Sequence, residues 1–254
     1  MRLKYQVLKL LFRKKSLRKI HSILLRSNSY YQNLSAKNQK VFCIRTKLFI
    51  KTTDFINSSN LGINYQMITL ISSAFVQLTF GLRIDVLKIF NEIVITPKPY
   101  SYKHTEKTFL GDVNLYTKRI SLTWPVVKKG FRIEDDGVNL ALHEFSHCLI
   151  IENSKQSYYS KILNEKDLVN WKKIATQLLK EGKLKNNSFF RNYANTNLME
   201  LFAVSAEEFF ERPDLFYTNE PELFNSFCLL LNQDIREKLN PKISKSTRYK
   251  YNVG

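Results

Sequence analysis

Apolar positions follow helical spacing at first and mixed spacing later. Residues 2–27, 37–50 and 64–82 read as three helices, and "DVLKIFN" (85–91) as a short fourth. The pattern then changes. "EIVITP" (92–97) is β-branched and stops at Pro97, which predicts a strand. Two alternating segments, 113–117 and 119–124, flank Thr117-Lys118 and predict a hairpin or two neighbouring short strands. After Pro125 helical spacing returns over about 137–151, 166–181, 197–211 and 220–231. A few strands among many helices predict an α+β class, mostly helical with a small mixed sheet.

"NYQMITLISSAFVQLTFGL" (64–82) has no charge, but Gln66, Thr69, Ser72, Ser73, Gln77 and Thr79 interrupt it. A bilayer-spanning helix needs about 20 mostly apolar residues, so this segment reads as a buried core helix. The net charge of +18 suggests nucleic acid or an acidic surface as partner until its distribution is considered. Residues 1–27 carry nine Lys/Arg and no acid, and residues 236–254 carry six Lys/Arg against Glu237 alone. The body between them is nearly balanced and lacks a recognised nucleic-acid motif. No specific nucleic acid is therefore expected; the basic ends suit weak contact with a membrane or other acidic surface. Three scattered cysteines make no disulfide framework, which fits a reducing, cytoplasmic setting. The expected division is a basic helical region (1–60), a catalytic domain (61–235) and a basic flexible tail (236–254).

The candidate chemistry lies in "EDDGVNLALHEFSHCLII". Asp135 or Asp136 can cap a helix there, with Asn139 in its first turn. Val138, Leu140, Ala141, Leu142, Phe145, Leu149 and Ile150 leave little of that helix for water. Two histidines and a glutamate inside it need a partner, because buried polar groups are costly otherwise. His143 and His147 are four residues apart and share a helix face, so both rings can converge on one zinc ion. Glu144 sits on the flank of that line, where a general base can reach a zinc-activated water. Cys148 is rotated about 100° from His147, toward the core. His21 and His104 lie outside the motif.

A catalytic zinc site takes three protein ligands. No histidine follows His147, so a carboxylate must complete the set. "YANTNLMELFAVSAEEFFERPDLF" (193–216) offers Glu200 and Glu207 on one helical face, as ligand and ligand-orienting partner. The competing reading makes Glu207, Glu208 and Glu211 a solvated face.

These two stretches resemble the Mlc titration factor A family of bacterial zinc peptidases. The shared positions are Asn139, His143, Glu144, His147, Tyr193, Glu200, Phe202, Ala203, Val204, Glu207, Phe209 and Phe210, and "EIVITPKPY" and "ISLTW" look like the family's strands. The resemblance covers roughly residues 60–230. It implies a zincin-like peptidase domain holding one Zn²⁺ on His143, His147 and Glu200. It also implies Glu144 as general base and Tyr193 as stabiliser of the oxyanion. The spacing from Tyr193 to Glu200 is similar to that in the anthrax lethal factor catalytic domain. Ser146 stands where the family usually has Ala, and Ile150 where it has an Asp suited to orienting a ligand. The implied activity is hydrolysis of a peptide or protein substrate, with aminopeptidase and endopeptidase action both open. The family's name also implies the alternative, a regulator that sequesters a transcriptional repressor. The strand 119–124 is expected to form the cleft edge that pairs with substrate.

Overall fold

The computed structural model describes residues 3–58, 62–103, 105–157, 161–182 and 189–243. Its order is α1 (Leu3–Leu11), α2 (Lys14–Ser27), α3 (Ser29–Gln32), α4 (Ala36–Lys51), β1 (Asp54–Asn57), α5 (Tyr65–Leu78), β2 (Glu92–Thr96), β3 (Gly111–Asn114), β4 (Arg119–Thr123), α6 (Trp124–Gly130), α7 (Leu140–Lys155), α8 (Glu165–Lys180), a 3-10 turn (Asn192–Asn195), α9 (Leu198–Glu211), α10 (Pro213–Asn219) and α11 (Pro221–Leu231). The sheet is small and mixed, in the order β1-β2-β4-β3. β2 runs parallel to β1 and β4, and β3 runs antiparallel to β4. The α+β class follows directly. α7 packs against α9, α5, β3 and β4, and so forms the centre of the molecule.

α5 shows why polar residues interrupt an otherwise apolar run. Asn64 caps it, accepting from Met67 N at 3.0 Å. The hydroxyls of Thr69, Ser72 and Ser73 donate to the carbonyls of Tyr65, Ile68 and Leu70, so these side chains are buried without loss of hydrogen bonding. No described helix is long and apolar enough to cross a membrane.

Several expectations need correcting. The helix over 2–27 is two helices, broken at Phe12 and Arg13, where Arg13 is extended (ψ 127°) and Phe12 is buried. Residues 85–91 are not helical. Asp85 is drawn to Arg45 at 2.7 Å, and Glu152 Oε1 accepts from Lys88 N and Ile89 N at 2.7 and 2.5 Å. These tertiary contacts override the local periodicity. The hairpin at Thr117-Lys118 is present, with Lys118 in the left-handed region (φ 57°), but its first strand is 111–114. Residues 119–124 are not the cleft edge, because β4 lies inside the sheet between β2 and β3. The edge is the more polar "GDVN" of β3. The parallel strand β1, contributed by residues 54–57, and the short helices α6 and α10 have no clear local signal. Of the C-terminal stretch, residues 236–243 turn back on the body, with Ile243 N donating to Asn232 O at 3.3 Å. Residues 244–254 and His104 lie outside the described residues.

α8 packs on α11 and α9, bringing the buried Trp171 edge-on to Phe202 with ring centroids 5.2 Å apart.

Candidate active site

The start of α7 is fixed by Asn139, which is its N-cap, in place of Asp135 or Asp136. Its Oδ1 accepts from Leu142 N at 3.2 Å. Ala141, Phe145, Cys148 and Leu149 face the core, with Cys148 fully buried. His143 and His147 point the other way, toward α9. Glu200 stands in the first turn of α9, whose N-cap Asn197 accepts from Met199 N and Glu200 N at 2.9 and 3.0 Å.

Three donor atoms converge from these two helices. His143 Nε2 and His147 Nε2 are 3.2 Å apart, and Glu200 Oε2 is 3.3 Å from the first and 3.5 Å from the second. An ion with bonds of about 2.0–2.1 Å in tetrahedral geometry requires ligand separations of about 3.3 Å. The near-equilateral triangle therefore fits such an ion, and the three residues form a group able to hold a metal. Glu200 Oε2 is buried without a hydrogen-bond donor among the described residues, as expected of an atom meant for a cation.

The electrostatics agree. Burial disfavours the charged form of His143, yet the neighbouring carboxylates of Glu200 and Glu207 raise its pKa to about 10. Burial would raise Glu200, but the two imidazoles hold it down at about 2. The field that draws a proton onto His143 favours a divalent cation for the same reason.

Glu207 is 1% exposed, and Glu208 is fully buried, so neither belongs to a solvated face. Glu207 Oε1 accepts from Asn139 N at 2.8 Å, and its Oε2 meets His143 Nδ1 at 2.9 Å. One carboxylate thus fixes both the start of α7 and the orientation of His143. Glu208 is gripped by Arg212 at 2.5 and 2.7 Å, and Glu211 Oε2 accepts from Val138 N at 2.9 Å. The reading of Glu207, Glu208 and Glu211 as solvent-facing fails because α9 packs this side against the loop before α7. Among the described residues His147 has no equivalent of Glu207. Its Nδ1 is buried without a partner among the described residues, and Ile150, one turn on, packs against the core.

Glu144 is 5% exposed, and its pKa is pushed up to about 8, first by burial and further by the carboxylates of Asp112, Glu200 and Glu207, against the opposing His143. Tyr193 lies on the 3-10 turn, about half-exposed, with its ring 6.0 Å from that of His143. Burial and the charges of Glu200 and Glu144 raise its pKa, so the hydroxyl stays protonated and able to donate. A cavity of about 690 Å³ opens over these groups, walled by β3 and the segment before it.

All seven candidates, Asn139, His143, Glu144, His147, Tyr193, Glu200 and Glu207, thus meet at one place. Sequence reasoning missed Arg191, whose guanidinium pairs with Glu207 beside the cavity, and Gly111, which lies over Glu144. An arginine two residues before Tyr193 is a weak signal, because nothing local says which acid it meets.

Residues 4–230 match the family model of the glucose-regulated metallo-peptidases M90. The chain belongs to that family. This M90 member is 23% identical over 225 residues to Mlc titration factor A of Salmonella arizonae, spanning 82% of this chain and 88% of the relative. It is 24% identical over 223 residues to Mlc titration factor A of Salmonella paratyphi B and of Salmonella typhimurium, spanning 82% of this chain and 83% of each. The M90 family is one of metallo-peptidases, and the His143, His147 and Glu200 group is where this member could hold its metal.

Proposed function

We propose that this chain is a zinc-dependent peptidase with a zincin-like catalytic domain. The carrying observation is the triangle of His143, His147 and Glu200 donors with Glu144 on its flank. Two imidazoles and one carboxylate are a donor set suited to zinc with an open position. Bound there, zinc would acidify a water and polarise the scissile carbonyl.

The chain's own residues do the rest. Glu144 takes the proton from the attacking water and passes it to the leaving amine nitrogen. Its raised proton affinity suits both transfers near neutral pH. The Tyr193 hydroxyl donates to the carbonyl oxygen as charge builds on it. Glu207 keeps His143 turned toward the metal. The edge of β3, which has no partner strand among the described residues, supplies main-chain groups for an extended peptide.

The test is Glu144→Gln on the full chain with a quenched peptide. Zinc content should stay at one per chain while hydrolysis is lost; equal turnover by the variant would remove Glu144 from the mechanism. A second reading follows from the relatives' name, Mlc titration factor A, which points to binding of a regulatory protein. It predicts capture of that partner by Glu144→Gln as well as by the wild type.

A further inference from the structure

β3 pairs with β4 in the register Gly111↔Leu122, Asp112↔Ser121 and Val113↔Ile120. Thr123 N donates to Leu110 O at 2.9 Å, so Leu110, Asp112 and Asn114 occupy the hydrogen-bonded pairs of the ladder. The N–H and C=O groups of Gly111 and Val113 consequently turn to the open edge. Side chains alternate across a strand, and position 111 is on the α7 side. A methyl group at 111 would stand 2.9 Å from Glu144 Oε1, 2.9 Å from Leu140 Cδ1 and 3.1 Å from Glu144 Cγ. Gly111 does not have a positive φ, so close approach, not backbone conformation, makes glycine the residue that fits.

We infer that Gly111 is a positioning residue for the reaction: its missing side chain lets the edge strand lie directly over Glu144 and fixes the distance between the base and a peptide paired with that edge. Any larger residue displaces the side chains of Glu144 and Leu140 or lifts the strand; the atoms nearest the added methyl belong to these two residues and not to His143, His147 or Glu200. On the other face of β3, Asp112 accepts hydrogen bonds from the hydroxyls of Tyr100 and Tyr102, which hold the strand down. These bonds oppose lifting of the strand, so the side chains of Glu144 and Leu140 are the groups that yield to an added methyl. This inference rests on the peptidase reading.

The test compares the zinc-loaded full chain with Gly111→Ala on a quenched peptide that the wild type cleaves. A misplacement of catalytic groups by about 1 Å costs about 100-fold in rate, so kcat should fall by that order. KM should stay within about threefold, because substrate binding is not what changed. Zinc affinity, measured by chelator competition, should match the wild type. A crystal structure of Gly111→Ala should show the Glu144 carboxylate moved away from residue 111. The double variant Gly111→Ala/Leu140→Ala separates the two contacts: truncating Leu140 relieves the packing clash but not the clash with Glu144. It should remain slow. An unchanged kcat in Gly111→Ala, a rise in KM alone, or recovery in the double variant would each overturn the inference while leaving the peptidase reading in place. A wild type that binds zinc and cleaves no peptide would overturn both.

Discussion

Where α1 meets α4 and the loop after α5, Asp85 faces Arg45 at 2.7 Å and Lys4 at 2.6 Å, and accepts from the Tyr5 hydroxyl at 2.9 Å. The rest of the Arg45 guanidinium donates to the carbonyls of Thr79, Phe80 and Ile84. Between α7 and α9 the balance is different. Glu144, Glu200, Glu207 and Glu208 are gathered there, and Arg191 and Arg212 are engaged by Glu207 and Glu208. Glu200 is left facing two imidazoles. Both regions bury charge, which is costly unless compensated. The first is compensated by the chain itself. The second is left short of positive charge, and that shortfall lets a site take up a cation from outside.

Four experiments test this contrast. The largest effect is expected from Asp85→Asn, which leaves Arg45 as an uncompensated buried cation. It should cost about 3–5 kcal/mol in a urea titration with zinc affinity unchanged. It should also remove an acid dependence. Burial pushes the Asp85 pKa up, but Arg45, Lys4 and Tyr5 outweigh burial and hold it below its ordinary value. The stability that this carboxylate confers is therefore complete above its unfolded value of about 4 and is lost as pH falls through the lower folded value.

Next, zinc at about 100 times its Kd should raise the unfolding free energy by about 2.7 kcal/mol, and Glu200→Ala should abolish that gain at the same zinc concentration. Identical melting curves with and without zinc would mean that the second cluster needs no ion. Glu207→Gln should weaken zinc binding by about 10–100-fold, because His143 loses the carboxylate that orients it. An unchanged affinity would reduce Glu207 to a clamp on Asn139. The smallest effect belongs to Lys4→Ala. Lys4 is 57% exposed, so its pair with Asp85 should be worth less than about 1 kcal/mol.

What could be read from the residues alone divides along physical lines. The helix carrying His143 and His147 was legible because the helical repeat and a buried apolar surround are local facts. Glu200 and Glu207 on one face of α9 were legible for the same reason. The burial of Glu208 was not, because it depends on Arg212 closing a pair one turn away. The identity of the cleft edge is not legible in the sequence. "RISLT" reads as a good strand precisely as interior strands do, and its partners on both sides cover it. β1 is not legible because four residues with exposed ends carry little pattern, and its pairing with β2 is thirty-odd residues distant in the chain. The failed helix over 85–91 is the clearest case of distant atoms overruling local spacing. Arg45 and Glu152 claim its backbone and its aspartate from other elements.

The ring pair of Trp171 and Phe202 has a use of its own. Phe202 lies two residues beyond Glu200 on α9 and meets the buried indole at an interplanar angle of 83°. The chain has two tryptophans, and the other, Trp124, opens α6. With Trp124 replaced by phenylalanine, tryptophan emission would come from a single shielded indole resting on the helix that carries Glu200. Its wavelength and lifetime then report any shift of that helix in real time, without an attached label.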